Sequence, residues 1–260
     1  MILFVFEGQK REPDLYQTIQ TLYFSNSNQQ IICSFGNNLY ELYRELQKYE
    51  GDGDLVALLK EKFKSKKNNP FANVQRSSDF SEIYLFFDYD FHNRNLPLEE
   101  LNREVDEMLK LFSDESNNGK LYINYPMVES IRYTKKLPDS DYYSYVVSRK
   151  DCNNFKHLVA NFSAYNNLDY IQIDKRKKTS TQRLDQLRQN WEHLKNQNIN
   201  KANYLCSGNN CIPDSKDDIA QIKIFNSQLT KYVLTESCHV SILNAFPLFL
   251  YDYFPINKQG

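Results

Sequence analysis

The chain is poor in the features that mark several large protein classes. Only 7 of its 260 residues are glycine, which excludes collagen-like and glycine-rich architectures. Its five cysteines are odd in number and scattered, so a secreted disulfide framework is not expected. Neither sign of charge is in excess: 32 Lys and Arg face 33 Asp and Glu, leaving a net charge of −1. No global field draws in a polyanion, and any nucleic-acid contact must come from local patches. The apolar-rich uncharged stretch His239 to Tyr251 is too short for a membrane span and carries Pro247. The apolar run near the start, Ile2 to Phe6, follows no basic stretch and is shorter than a signal peptide's apolar core. There is no G-x-x-x-x-G-K-[ST] phosphate loop, so the chain itself is not expected to bind ATP. These absences predict a protein of a reducing compartment, the cytoplasm, that makes no use of a membrane.

What is present is ample material for a core: 41% hydrophobic residues, with 19 Tyr and 17 Phe. Two continuous apolar runs, Ile2–Phe6 and Ile83–Phe87, are polar on neither face, as central strands of a parallel sheet are. Ile31-Ile32-Cys33 and Leu121-Tyr122-Ile123 read as shorter strands. Between them, helical spacing appears in Leu15, Ile19, Leu22 and Tyr23 after Pro13, and in Leu39, Leu42, Tyr43 and Leu46. It recurs in Leu98, Leu101, Val105, Met108, Leu109 and Phe112 after Pro97. Leu55, Leu58, Leu59 and Phe63 trace a further helix running into Lys60, Lys62, Lys64, Lys66 and Lys67. That stretch reads as an insertion over about residues 50–80, ending in a mobile basic loop near Asn68-Asn69-Pro70.

The alternation predicts an α/β domain over residues 1–135, a mainly parallel sheet flanked by helices, with Pro126 to Tyr133 as a short closing helix. Residues 136–260 read as a mostly helical accessory region. Its apolar stripes run from Phe155 to Phe162, Leu184 to Leu194, Ile219 to Leu229 and Val240 to Leu250.

In an open parallel sheet, ligands gather outside the carboxyl ends of the strands. Two of the predicted strands end there in acid: Phe6 leads into Glu7, and Phe87 into Asp88-Tyr89-Asp90. Asp88 and Asp90 are two apart, so in extended chain both carboxylates leave one side of the backbone. Three carboxylates at one sheet edge repel one another and raise each other's pKa unless a cation joins them. Oxygen-only ligands select a hard ion, Mg²⁺ or Mn²⁺, and such ions stabilise phosphoryl transfer. The bland alternatives are a solvated turn at Asp88 and Asp90 and a loop acid at Glu7. An Asp-x-Asp pair also serves haloacid-dehalogenase phosphatases and metal-dependent glycosyltransferases. The former want Thr or Val where this chain has His92, and the latter leave Glu7-Gly8 unexplained.

An apolar strand with Glu7-Gly8, then Glu12, and much later a strand with Asp88-Tyr89-Asp90, resembles the Toprim domain. Topoisomerases, primases, small nucleases and the overcoming-lysogenization-defect nucleases share it. The resemblance covers roughly residues 1–135 and implies a general acid/base glutamate at Glu7 and a metal pair at Asp88 and Asp90. It implies a second acid at Glu12, which would complete or orient the metal's shell. The segment Asn124-Tyr125-Pro126-Met127-Val128-Glu129-Ser130 is similar to a proline-to-glutamate stretch of phage-defence Toprim nucleases of the RloB and PARIS-effector kind. By that match Glu129 is a further metal-side carboxylate. The chain departs from the family in having His92 where some members carry a third acid, and Asn124-Tyr125-Pro126 in place of Ser-Asn-Pro.

With phosphoryl chemistry in view, Lys10, Arg11, Arg132, Lys135 and the run Lys175-Arg176-Lys177-Lys178 become candidate contacts for a nucleic-acid backbone. Cys206, Cys211 and Cys238-His239 lack the spacing of a zinc site. The expectation is a Toprim-type, Mg²⁺-dependent endonuclease acting on DNA or RNA, tRNA included, as effector of an anti-phage system. A gating partner such as an ABC-type ATPase and self-association both fit that role. The alternatives are a non-catalytic subunit that keeps the fold, and a nucleotide-sugar transferase.

Overall fold

The computed structural model describes residues 1–24, 29–48, 54–93, 96–165 and 167–254. Strands and helices alternate through the first half as β1 (Ile2–Phe6), α1 (Arg11–Tyr23), β2 (Gln30–Ser34), α2 (Leu39–Lys48), α3 (Leu55–Phe63), β3 (Glu82–Asp88), α4 (Leu98–Leu111), β4 (Ser113–Asp114) and β5 (Gly119–Asn124). One five-stranded sheet results, in the order β2-β1-β3-β5-β4. Its first four strands are parallel and the short β4 is antiparallel at the edge. The fold is therefore α/β with a mostly parallel sheet, as the alternation predicts.

The connections step in opposite directions from the centre. The β1–α1–β2 crossover moves to one side and β3–α4–β5 to the other, so right-handed crossovers put α1 and α4 on opposite faces. Between β1 and β3 the topology reverses, and in such sheets ligands bind outside the carboxyl ends of the strands at that point.

Both faces of the sheet are closed. On one, Phe4 packs on Tyr16 of α1 with ring centroids 4.1 Å apart. That helix covers the β1 side, and the rings of β3 and β5 on this face need another cover. It comes from α9 (Ala245–Tyr253), the last helix among the described residues. Phe246 stacks on Phe86 at 4.8 Å, and Phe249 meets Tyr84 edge-on at 5.0 Å. On the opposite face Phe87 packs near Phe35 at 6.1 Å.

Between β5 and α9 the chain forms a 3-10 turn (Val128–Arg132), β6 (Val146–Ser148), α5 (Arg149–Cys152), α6 (Phe155–Phe162), α7 (Thr181–Ser207), α8 (Gln221–Gln228) and β7 (His239–Ser241). Ser180 caps α7 by accepting from the Arg183 N–H, and Gly208 ends it at φ +88°, a conformation glycine adopts without strain. The only tryptophan, Trp191, is fully buried on α7 and donates Nε1–H to the Ile171 carbonyl at 2.8 Å.

Several local expectations change. The stripe from Val240 to Leu250 is not one helix: Val240 pairs with Val147 in an antiparallel two-stranded ladder. The helix starts only after Asn244, whose Oδ1 accepts from the Phe246 N–H at 3.1 Å. The expected helix from Pro126 to Tyr133 is the short 3-10 turn. Residues 64–80 fold back on the body, with Phe71 and Val74 buried and Phe71 5.7 Å from Phe63. Among the described residues no helix is long and apolar enough to cross a membrane.

Candidate metal centre

Glu7 follows β1 directly, and its N–H extends the ladder by donating to the Phe86 carbonyl at 3.0 Å. The parallel register of Phe6 with Phe86 brings the end of β3 alongside. Asp88 closes β3, and its backbone N–H donates to Glu7 Oε2 at 2.9 Å.

Asp90 arrives differently from the expectation of an extended pair. The strand ends at Asp88, and Asp90 lies in the left-handed region at φ +48°, which Asp tolerates better than most residues. Tyr89 N–H donates to the Asn124 carbonyl, Asp90 N–H to that of Pro126, and the Asp90 carbonyl accepts from Asn93 N–H at 2.7 Å. This turn, rather than strand alternation, aims the second aspartate. One carboxylate oxygen from each of Glu7, Asp88 and Asp90 lies within 4.8 Å of one from each of the other two.

The cluster is strongly destabilised as three free anions. Burial pushes the Glu7 carboxyl up to about 8, with the charge of Asp90 adding to the shift. Asp88 is 8% exposed and is held well above the usual carboxylate range by burial first and by Glu7 next. Asp90 is also raised by burial, with His92 and Lys156 pulling the other way. Among the described residues no salt bridge to a lysine or arginine reaches any of the three. Clustered, desolvated, oxygen-only donors without a neutralising side chain are what a hard divalent cation requires.

Glu12 and Glu129 stand beside this triad rather than in it. Glu12 is buried, and its Oε1 accepts the Gly8 N–H at 3.1 Å. A side chain at position 8 would bring its Cβ to 2.5 Å from Glu12 Oε2, so the glycine allows this close approach. Glu129 is buried and pairs with Arg11 at 3.5 Å and Lys156 at 3.6 Å. Both charges raise Glu7 through space. They shape the field of the centre, and each already has a partner of its own.

Comparison of the chain with protein-family models, with curated proteins and with solved structures finds no match. The donor chemistry of the side chains is accordingly what characterises the site.

Two residues at the centre escape sequence reasoning. Asn124, in register with Asp88, donates Nδ2–H to Asp88 Oδ1 at 2.9 Å, while its own Oδ1 accepts the Ala245 N–H at 2.9 Å. It thus ties the central aspartate to the first turn of α9. Its place just after a predicted strand, at the head of the segment Asn124 to Ser130, signals its position but not this role. Lys156 comes from α6, and nothing in its local sequence marks it. Among the described residues, the Nδ1 of His92 is buried without a hydrogen-bond partner.

The cationic candidates divide. Arg11 is held by Glu129. Arg132 is corrected from a surface contact to a 9% exposed side chain whose Nη2 donates to the Tyr165 carbonyl. Lys135 lies over the Phe162 ring at 5.3 Å. Lys10, Lys175, Arg176, Lys177 and Lys178 are exposed.

Proposed function

We propose that this protein is a metal-dependent phosphodiesterase of the Toprim kind that hydrolyses nucleic acid, with Glu7, Asp88 and Asp90 as its working carboxylates. The observation that carries this reading is the convergence of the three within 4.8 Å at the carboxyl ends of adjacent parallel strands, at the point where the sheet's topology reverses.

Asp88 and Asp90 would hold Mg²⁺ or Mn²⁺, which supplies charge stabilisation to the attacking and leaving oxygens of a phosphodiester. Asn124 fixes one oxygen of Asp88 and so orients it. Glu7 Oε2 is engaged by the Asp88 N–H, which leaves Oε1 to exchange a proton with the attacking water or the leaving oxygen. A carboxyl raised toward neutrality suits that task. Gln or Asn would keep the hydrogen bonds of these positions and lose the charge.

The place of Glu7 inside the cluster counts against a nucleotide-sugar transferase, for which that residue has no task. The Toprim resemblance extends the reading to an anti-phage effector restrained by a partner such as an ABC-type ATPase.

The test is incubation of the pure protein with tRNA and with supercoiled plasmid, with Mg²⁺, Mn²⁺ or EDTA. Cleavage should require the cation and vanish in Asp88→Asn. Cation-dependent cleavage that survives this substitution would remove the assignment, and binding without cleavage would favour the non-catalytic alternative.

A further inference from the structure

The structure assigns a substrate track to the surface beside the metal centre: we propose that the groove between the start of α1 and the start of α7 holds the phosphodiester backbone of the nucleic acid and reads no bases. The proposal rests on the phosphodiesterase reading above and adds to it the place and manner of substrate binding.

The groove encloses about 980 Å³. Six cations line it, namely Lys10, Lys175, Arg176, Lys177, Lys178 and Arg183, against three carboxylates, Asp14, Asp169 and Asp174. Two of those carboxylates are already engaged: Lys175 pairs with Asp14 at 2.5 Å and Arg176 with Asp174 at 3.1 Å. Lys10, Lys177 and Lys178 are exposed and stand in no salt bridge among the described residues. The excess of positive charge is therefore carried by side chains free to meet phosphates. The capped first turn of α7, a 27-residue helix, forms part of the wall and adds its positive end.

Two further observations specify the ligand. Lys10 lies on the loop that carries Glu7, three residues on, and Asp14 on the next turn links that loop to Lys175. The cationic wall thus begins on the same loop as Glu7, as a backbone leading to a scissile bond would require. Among the described residues no aromatic ring lines the groove. Base stacking, the usual device for gripping unpaired bases, has no platform there, so binding falls to phosphate contacts that carry no sequence information.

The test uses the full chain carrying Asp88→Asn in EDTA, so that binding is measured without cleavage. Fluorescence anisotropy would follow two short labelled duplexes of unrelated sequence over a salt series. The two should bind within about threefold of each other, since contacts are to phosphate. Adding Lys10→Gln, Lys177→Gln and Lys178→Gln should weaken binding at least about tenfold and lower the slope of log K against log salt by about 2 to 3. A matched set elsewhere on the surface, Lys110→Gln, Lys150→Gln and Lys223→Gln, should leave both quantities near the parent's. An unchanged slope in the groove variant, an equal loss in the matched set, or strong preference for one sequence would each overturn the proposal. The two readings fail separately. Groove-dependent binding with no Mg²⁺-dependent cleavage by the native chain would sink the phosphodiesterase and leave the groove. Cleavage that proceeds with unchanged KM in the groove variant would do the reverse.

Discussion

Glu7 Oε2 accepts the backbone N–H of Asp88 at 2.9 Å, joining positions 81 apart in the chain. The bond separates two properties of Glu7, its acidity and its hold on the end of β3. Glu7→Gln keeps an acceptor and loses the acid, so single-turnover cleavage should fall at least about 10²-fold with stability nearly intact. Glu7→Ala also strands a partly buried N–H and should cost about 1–3 kcal/mol in denaturant titration. Cleavage by Glu7→Gln at the native rate would take Glu7 out of proton transfer.

The acidic cluster predicts an unusual pH dependence. Burial raises the folded pKa of Glu7 from 4.5 to about 8, and raises Asp88 and Asp90 as well. A group with a raised folded pKa contributes stability that is fully present below its unfolded value and is lost as pH rises through the folded one. In EDTA the melting temperature should therefore decline between about pH 5 and about pH 8. On the proposed function Mg²⁺ or Mn²⁺ would bind the deprotonated carboxylates, so it should restore the loss at the upper end and do little at the lower. Thermal melts at both pH values, with and without the cation, measure this. Identical cation effects at the two would contradict a carboxylate-bound ion.

Asn124 bridges Asp88 and α9 through the two ends of its amide. Asn124→Leu removes both bonds in a fully buried place and should cost about 2 kcal/mol or more. The affinity for Mn²⁺, read by titration, should drop about 10- to 100-fold as Asp88 loses its orienting donor. Native Mn²⁺ affinity in a folded variant would reduce Asn124 to a structural role.

Phe246 stacks on Phe86 and closes the sheet from the far end of the sequence. Phe246→Ala should cost about 3–5 kcal/mol, with Trp191 fluorescence reporting unfolding. Leu234, 62% exposed, provides the contrast, and Leu234→Ala should fall within about 0.5 kcal/mol of the parent. A chain cut after residue 135 lacks α9 altogether and should not fold as a monomer.

The main elements of the α/β layer were legible in the sequence because burial imposes distinct periods on strands and helices. Ile2–Phe6 and Ile83–Phe87 are apolar on both faces, and the structure makes them adjacent central strands. Glu7, Asp88 and Asp90 were legible as candidates because acids after such strands fall at the rim where ligands bind. The β6–β7 pair was not legible, since three-residue strands carry too few positions to show alternation. The split of 240–250 into strand and helix was hidden because both its parts are buried all round.

By itself the sequence determined the main strands and helices of the α/β layer and which acids follow β1 and β3, for these depend on neighbours within a few residues. Tertiary structure decided the rest. It chose a left-handed turn to aim Asp90, gave Glu129 to Arg11 and Lys156, set Asn124 behind Asp88, and brought α9 back to seal the sheet. Each of these joins groups far apart along the chain, or fixes a side chain's direction. Such contacts form only when distant segments share a burial boundary, and local periodicity holds no record of that.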